Sequence, residues 1–144
     1  MKRKLILTVL AAILVLSALS VSACSDKPGT VTWEVPIDNF MNKADHSDEI
    51  EVPVGDTFIL KLGSNQTTGF EWGEEAVIED TSVLKQTGYE YVEPDGDVVG
   101  AAGQEVWTFE ALKKGTTKVS MSYDRPWEGG EKGEWTYEIT VTVK

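Results

Sequence analysis

Apolar side chains recur at every second position along most of this chain, and that spacing constrains the fold more than any other feature. A period of two gives each strand one face for a core and one face for water. Beyond residue 31, no stretch of useful length repeats at helical spacing, so we predict an all-β chain. The alternating sets are Phe58, Leu60 and Leu62; Trp107, Phe109 and Ala111; Val119, Met121 and Tyr123; and Trp135, Tyr137, Ile139, Val141 and Val143.

Turn-forming residues separate these segments. Gly, Pro and Asp are concentrated at 54–56, 93–97, 113–115 and 128–130, where they favour tight turns. The spacing predicts about seven to eight short strands, and this favours a β-sandwich over a closed barrel. The polar stretch Asp38–Asp48 offers only Phe40 and Met41 for burial, so we expect a loop or a short helical turn there.

The N-terminus has the pattern of an export signal. Lys2, Arg3 and Lys4 precede an apolar and small-residue run without acids that extends to Ala23. The segment 19–24, LSVSAC, resembles the processing box of bacterial lipoproteins, in which a cysteine is lipidated and becomes the new N-terminus. We therefore expect a signal peptide at 1–23 and an exported protein, lipid-anchored through Cys24 to the outer face of a bacterial cell membrane.

The remaining chain is long enough for one domain. We predict a lipidated cysteine and polar tether at 24–30, followed by a folded domain at 31–144. The alternative is ordinary signal cleavage with Cys24 left as a free thiol. An unpaired cysteine is unfavourable in an oxidising compartment, and Cys24 is the only cysteine of the chain.

The charge of the chain is strongly negative. The formal net charge is −11 at pH 7, and removal of a signal with three basic residues and no acid takes it to −14. Nucleic-acid binding is disfavoured by such a charge, because the phosphate backbone attracts basic surfaces. We expect a neutral or cationic partner and a monomeric domain.

The sequence offers little for catalysis or metal binding, so we predict no enzyme activity, no metal and no cofactor. His46 is the only histidine, and its neighbours Asp45 and Ser47 are adjacent in the chain, whereas a catalytic triad needs a spatial arrangement. We interpret His46 as a solvated loop histidine. One histidine and one cysteine do not make a zinc site, and the segment from Asp95 lacks the ligands of a calcium loop.

Three loops instead indicate a binding surface. The first loop (Asn65–Phe70) combines small polar residues with Gly69 and leads into aromatic residues. The second loop (Gly100–Gly103) contains small residues only, and the third loop (Arg125–Trp127) carries Arg and Trp, which are enriched at binding hot spots. For the second loop a flexible turn, and for Trp127 a cap on the sandwich edge, remain as alternatives.

Together these loops resemble those of chagasin-type inhibitors of papain-like cysteine peptidases, whose signatures are Asn-Pro-Thr-Thr-Gly-Tyr/Phe, Gly-x-Gly-Gly and Arg-Pro-Trp/Phe. The resemblance implies an immunoglobulin-like β-sandwich that inhibits reversibly by inserting three loops into the peptidase cleft. Thr67 and Thr68 would lie over the catalytic cysteine, with the other two loops on either side. The residues assigned to peptidase binding by this resemblance are Asn65, Gln66, Thr67, Thr68, Gly69, Phe70, Gly100, Ala101, Ala102, Gly103, Arg125, Pro126 and Trp127.

Two positions depart from the family signatures. Gln66 replaces a proline, and this gives the free loop more conformational freedom. Ala102 replaces a glycine, and it would strain the second loop if that position required a positive φ. The alternative function is an immunoglobulin-like cell-surface module that binds another envelope protein or a glycan on the same scaffold.

Overall fold

The computed structural model describes residues 27–96 and 98–144, and the regular secondary structure in this part of the chain is almost entirely β-strand. Its eight strands confirm the all-β prediction. They are β1 (Thr30–Val35), β2 (Asp45–Val52), β3 (Thr57–Ser64), β4 (Val77–Ile78), β5 (Leu84–Val92), β6 (Gly103–Ala111), β7 (Gly115–Tyr123) and β8 (Trp135–Val143). One short α-helix, α1 (Ile37–Asn42), lies between β1 and β2.

The strands form two four-stranded sheets that share one core, which confirms the predicted sandwich. The first sheet has the order β1-β3-β6-β5 and the second has the order β2-β8-β7-β4. Most neighbouring strands are antiparallel. The exceptions are the parallel pairs β1 with β3 and β2 with β8, each of which adds an N-terminal strand to the edge of a sheet.

The core lies between the two sheets and is built from the predicted alternating faces. Phe58, Leu60 and Leu62 of β3 are all 0% exposed. The inward face of β8 is equally well covered, apart from Trp135, which is half-buried at the start of the strand. Burial of side chains of this size is the main stabilising contribution to such a fold.

The stretch Asp38–Asp48 is only partly as predicted. It contains most of α1, which agrees with a short helical turn, but the expectation of a loop at its end is wrong, because Asp45–Asp48 belong to β2 and pair with β8. The interpretation of His46 as a solvated loop residue is wrong for the same reason. The His46 ring is half-buried, lies 5.7 Å from the Phe40 ring, and its buried Nδ1 has no hydrogen-bond partner among the described residues.

The described fold begins very near the predicted tether. β1 starts at Thr30, and the Gly29 N–H donates a hydrogen bond to Asp56 Oδ1 at 2.8 Å. Cys24 and the predicted signal peptide at 1–23 lie outside the described residues. None of the helices in the described part of the chain has the length and apolar character required to cross a membrane.

Candidate functional site

The first loop follows β3 and contains a single 3₁₀ turn, Gln66–Thr68. Asn65 caps this turn, since its Oδ1 accepts hydrogen bonds from the Thr67 N–H at 3.2 Å and from Thr67 Oγ1 at 2.6 Å. Thr68 Oγ1 donates to the Asn65 carbonyl oxygen at 2.7 Å. Both hydroxyl donors are therefore used inside the loop. The exposed side chains of Thr67 and Thr68 present methyl groups and acceptor oxygens to their surroundings.

Gly69 ends the turn and provides a contact surface for the third loop. Its φ of 82° lies in the left-handed region, which favours glycine. A Cβ at this position would lie 2.6 Å from Cη2 of Trp127, so the indole ring packs directly on the Gly69 backbone. Trp127 nevertheless remains 53% exposed. The ring therefore covers the first loop on one side and is accessible on the other.

Arg125 connects the third loop to the first. Its Nε and Nη2 donate to the Thr68 carbonyl oxygen at 3.4 and 3.3 Å, and its guanidinium lies 4.4 Å from the centroid of the Phe70 ring. Paired backbone hydrogen bonds of 2.9 Å between Glu71 and Asp124 reinforce this connection. The first and third loops are consequently held side by side.

The third loop is closed by a turn of its own. The Gly130 N–H donates to the Trp127 carbonyl oxygen at 3.0 Å, and the Arg125 N–H donates to that of Glu131 at 2.8 Å. Arg125 Nη1 also pairs with the Glu131 carboxylate at 3.2 Å. Pro126 lies exposed within this turn, where its fixed φ limits the conformations open to the loop.

The second loop is joined to the first by Asn65, whose Nδ2 donates to the Gly100 carbonyl oxygen at 3.1 Å. Gly100 has a φ of 83°, whereas no non-glycine residue in the described part of the chain has a positive φ. The substitution at Ala102 therefore brings no backbone strain. Gly103 is the first residue of β6 and is buried, and a Cβ there would lie 2.4 Å from the Val92 carbonyl oxygen. Its role is internal packing.

Val98 and Val99, which precede the second loop, were missed in the sequence. They are 67% and 101% exposed, and the half-buried Ala101 donates its N–H to the Val98 carbonyl oxygen at 3.2 Å. The sequence could have indicated their exposure, because the two valines follow a turn sequence and belong to none of the alternating sets that form the core. They add apolar surface beside the first loop, since Gln66, Thr67, Val98 and Val99 line a common depression.

Glu105 on β6 was also missed, and it anchors the base of the first loop. Its Oε1 accepts hydrogen bonds from Ser64 Oγ at 2.7 Å and from the Trp72 N–H at 3.0 Å, and its Oε2 accepts one from the Tyr89 hydroxyl at 3.0 Å. Burial raises the pKa of Glu105, and burial together with the Glu105 charge raises the pKa of Tyr89. The sequence does contain an indication of this role: Glu105 lies two positions before Trp107, and therefore on the same face of the strand as that core residue.

Aromatic packing beneath the loops supplies further support. The Tyr123 ring stacks on Trp135 with centroids 4.6 Å apart and on Phe70 at 5.5 Å. Its hydroxyl accepts a hydrogen bond from the Asn65 N–H at 2.8 Å. The ends of β7 and β8 thus carry the first loop on a rigid aromatic base.

Within residues 27–96 and 98–144, no three or more His, Cys, Asp and Glu side chains are arranged to hold a metal ion. The three loops that the sequence indicated are joined to one another at one end of the sandwich. Hydrogen bonds and the packing of the Trp127 ring make the connections. Such an arrangement is suited to binding a partner, because its shape is fixed before contact.

Comparison with known proteins gives consistent relationships. A sequence profile described as "Chagasin family peptidase inhibitor I42" matches residues 51–141. Chagasin of Trypanosoma cruzi is 33% identical over 91 residues, which are 62% of this chain and 83% of chagasin. The crystal structure of EhICP2, a cysteine protease inhibitor from Entamoeba histolytica, aligns with a TM-score of 0.60 at 22% identity, over 82% of this chain and 100% of that one. PbICP-C, solved in complex with falcipain-2, aligns with a TM-score of 0.54 at 15% identity, over 81% and 99%.

Proposed function

The chain belongs to the chagasin family of peptidase inhibitors I42, and we propose that it inhibits papain-like cysteine peptidases by placing three adjacent loops in the active-site cleft. The matched residues, 51–141, are well over half of the chain. The family is one of inhibitors, so the chain is not an enzyme, as its sequence predicted. A protein of the same fold, PbICP-C, has been solved in complex with falcipain-2.

The observation that carries the proposed binding mode is the pair of hydrogen bonds between loops. Asn65 Nδ2 reaches Gly100 across 35 positions of the chain, and Arg125 reaches the Thr68 carbonyl oxygen across 57. Contacts of this kind fix the relative positions of the loops in the free protein. Less conformational entropy is then lost when a peptidase binds.

At the centre of this surface, Thr67 and Thr68 have the properties of a non-covalent contact. Both are exposed and β-branched, so their side chains have few rotamers to lose on binding. Because their hydroxyl protons are engaged within the loop, their oxygens act as acceptors for donors of the enzyme. No bond is made or broken, and inhibition is reversible.

Apolar side chains flank the two threonines. Trp127 lies on the side of the third loop, and Val98 and Val99 lie on the side of the second. A large aromatic side chain that is already held in place is the type of residue that dominates interface energies. We assign Trp127 to the wall of the enzyme cleft on one side, and the valines to the other.

Titration of papain with the purified protein tests this proposal and should give stoichiometric, reversible inhibition. Trp127→Ala should weaken inhibition by about 30-fold, which corresponds to a hot-spot loss of about 2 kcal/mol. Leu112→Ala is the control, since Leu112 is 41% exposed and follows β6 at the end of the sandwich away from the loops. A lack of inhibition at roughly micromolar concentration would refute the proposal.

We also infer that the protein is exported and lipid-anchored at Cys24 to the outer face of a bacterial membrane. The processing-box resemblance at 19–24 supports this, and the described fold begins only a few residues later. In a bacterial host, a labelled fatty acid should be incorporated into the protein but not into the Cys24→Ser variant. The variant should keep its inhibition of papain, because residue 24 lies outside the three loops. Equal labelling of both proteins would refute lipidation at this residue.

A further inference from the structure

A groove runs beside the first and third loops and is bordered by α1. Its volume is about 370 Å³, and its lining includes Ile37 and Met41 of the helix. The rest of the lining comes from the loops and the strands beneath them: Asn65, Thr68, Phe70, Tyr123, Arg125, Glu134 and Trp135. The groove is therefore continuous with the surface assigned to the peptidase.

The helix that borders this groove is firmly attached to the fold. Gly63 makes room for it, since a Cβ at that position would lie 2.3 Å from the Ile37 backbone nitrogen. Phe40 is 1% exposed, and its ring lies 4.8 Å from that of Trp72 and 5.6 Å from that of Trp135. The helix side of the groove is therefore anchored on aromatic residues that also pack beneath the loops.

Met41 is unusually accessible for a side chain in such a position. It is 71% exposed, although it lies one residue after the buried Phe40. Nothing within the described fold covers this face of the helix. A flexible, polarizable thioether that lines a largely apolar groove adapts well to the side chain of a partner.

We propose that α1 is a fourth contact element, and that the groove accepts an apolar side chain that projects from the peptidase surface beside its active-site cleft. This inference rests on the proposed function, because a peptidase seated on the first and third loops would cover the mouth of the groove. The volume is near the lower limit for ligand pockets, about 300 Å³, and suits a projecting side chain. The helix lies outside the family match at 51–141, so that match does not itself assign it a role.

Substitution of Met41 tests the proposal, with inhibition of papain as the readout. Met41→Glu should weaken inhibition by about tenfold, because it places a charge in a groove that loses its water in the complex, while Met41→Leu should retain inhibition. Val77→Glu is the matched control, since Val77 is 68% exposed, lies on β4, and gives the same change in net charge. The control should inhibit as the unchanged protein does.

Hydrogen exchange provides a second measurement. Backbone amides of residues 37–42 should exchange more slowly when papain is bound, and the protection should be lost with Met41→Glu. Unchanged inhibition by Met41→Glu alongside weaker inhibition by Trp127→Ala would overturn the fourth contact and leave the three-loop function intact. Dimerisation of the unchanged protein that Met41→Glu abolishes without loss of inhibition would assign the groove to a second copy of the chain, and would also overturn the fourth contact.

Discussion

At the scale of single residues, the first loop depends on positions where a side chain cannot be added. Gly69 is required for its left-handed backbone and for the close approach of Trp127. Gly73 shares the first property, with a φ of 88°, but an added Cβ would meet nothing within 4 Å. The two glycines therefore allow backbone strain and ring packing to be measured separately.

We expect Gly69→Ala and Gly73→Ala each to lower the free energy of unfolding by about 1 to 2 kcal/mol through a strained φ. Only Gly69→Ala should also weaken inhibition, by about tenfold, because it displaces Trp127 from its place beside the first loop. Urea unfolding and inhibition constants for papain measure the two effects. Equal inhibition by both variants would mean that the packing of Trp127 on Gly69 does not contribute to binding.

The backbone at Gln66 is compatible with a proline. Asn65, the residue before it, has φ −119° and ψ 86°, which lies outside the α-helical region that a following proline disfavours. Gln66 is the first residue of the 3₁₀ turn, and no hydrogen bond from its N–H is found among the described residues. Proline at the start of a helical turn has the required φ and loses no donor that is in use.

Gln66→Pro should therefore tighten inhibition by roughly twofold to fivefold, because it removes about 0.4 to 1 kcal/mol of conformational entropy from the free loop. Thr67→Pro is a matched control with the opposite expectation, since the Thr67 N–H donates to Asn65 Oδ1. Inhibition constants for papain, measured with both variants and with the unchanged protein, test these two expectations. Weaker inhibition by Gln66→Pro would show that the bound loop needs a conformation other than the one described.

At the scale of structural elements, Asn65 links two loops through two different groups. Its Oδ1 caps the 3₁₀ turn of the first loop, and its Nδ2 holds Gly100 of the second. Asn65→Asp keeps the acceptor and removes the donor. The variant therefore separates formation of the first loop from attachment of the second.

We expect Asn65→Asp to weaken inhibition by about fivefold, in line with the loss of one hydrogen bond of about 1 kcal/mol. The Ala101 amide, which bonds to the Val98 carbonyl oxygen, should exchange faster with solvent in this variant. Asn65→Ala removes the cap as well and should reduce inhibition further. Identical inhibition by the Asp and Ala variants would indicate that the cap is unimportant.

The elements that the sequence predicted well are those with a local signal. Alternation located β3, β6, β7 and β8, because one face of each strand is buried and most positions on the other face are more exposed. β2 was missed because two of its inward-facing positions are His46 and Asp48, and these polar residues interrupt the apolar alternation by which the other strands were located. The Asp48 carboxylate is accommodated there by the Trp33 indole N–H at 3.2 Å and the Tyr137 hydroxyl at 3.1 Å, contacts that no local pattern reveals.

The candidate site follows the same division. The three loops were selected because their sequences resemble, in the same order along the chain, the loop signatures of chagasin-type inhibitors. The groove at Met41 and the hydrogen bonds between loops depend on contacts between distant positions, and parallel pairing of β1 with β3 brings α1 beside the first loop. Contacts between positions so far apart in the chain leave no local pattern in a single sequence.

At the scale of the whole molecule, Glu105 joins three parts of the fold through one buried carboxylate. Ser64 ends β3, Tyr89 lies on β5, and Trp72 follows the first loop, while Glu105 itself belongs to β6. Burial penalises the charged form and raises the pKa of Glu105 above its ordinary value of 4.5. The folded state therefore keeps this proton at pH values where the unfolded chain has already lost it.

The stability contributed by protonated Glu105 is fully present below about pH 4.5 and is lost as the pH rises through the higher pKa of the folded state. The unfolding free energy of the unchanged protein should consequently fall more steeply with rising pH than that of Glu105→Gln, which has no proton to lose. Urea unfolding between about pH 4 and about pH 7, followed by tryptophan fluorescence, measures both curves. Glu110→Gln, at an exposed acid of the same strand, controls for the change in net charge. Parallel curves for the unchanged protein and Glu105→Gln would show that the buried carboxylate is not what couples the stability of this fold to pH.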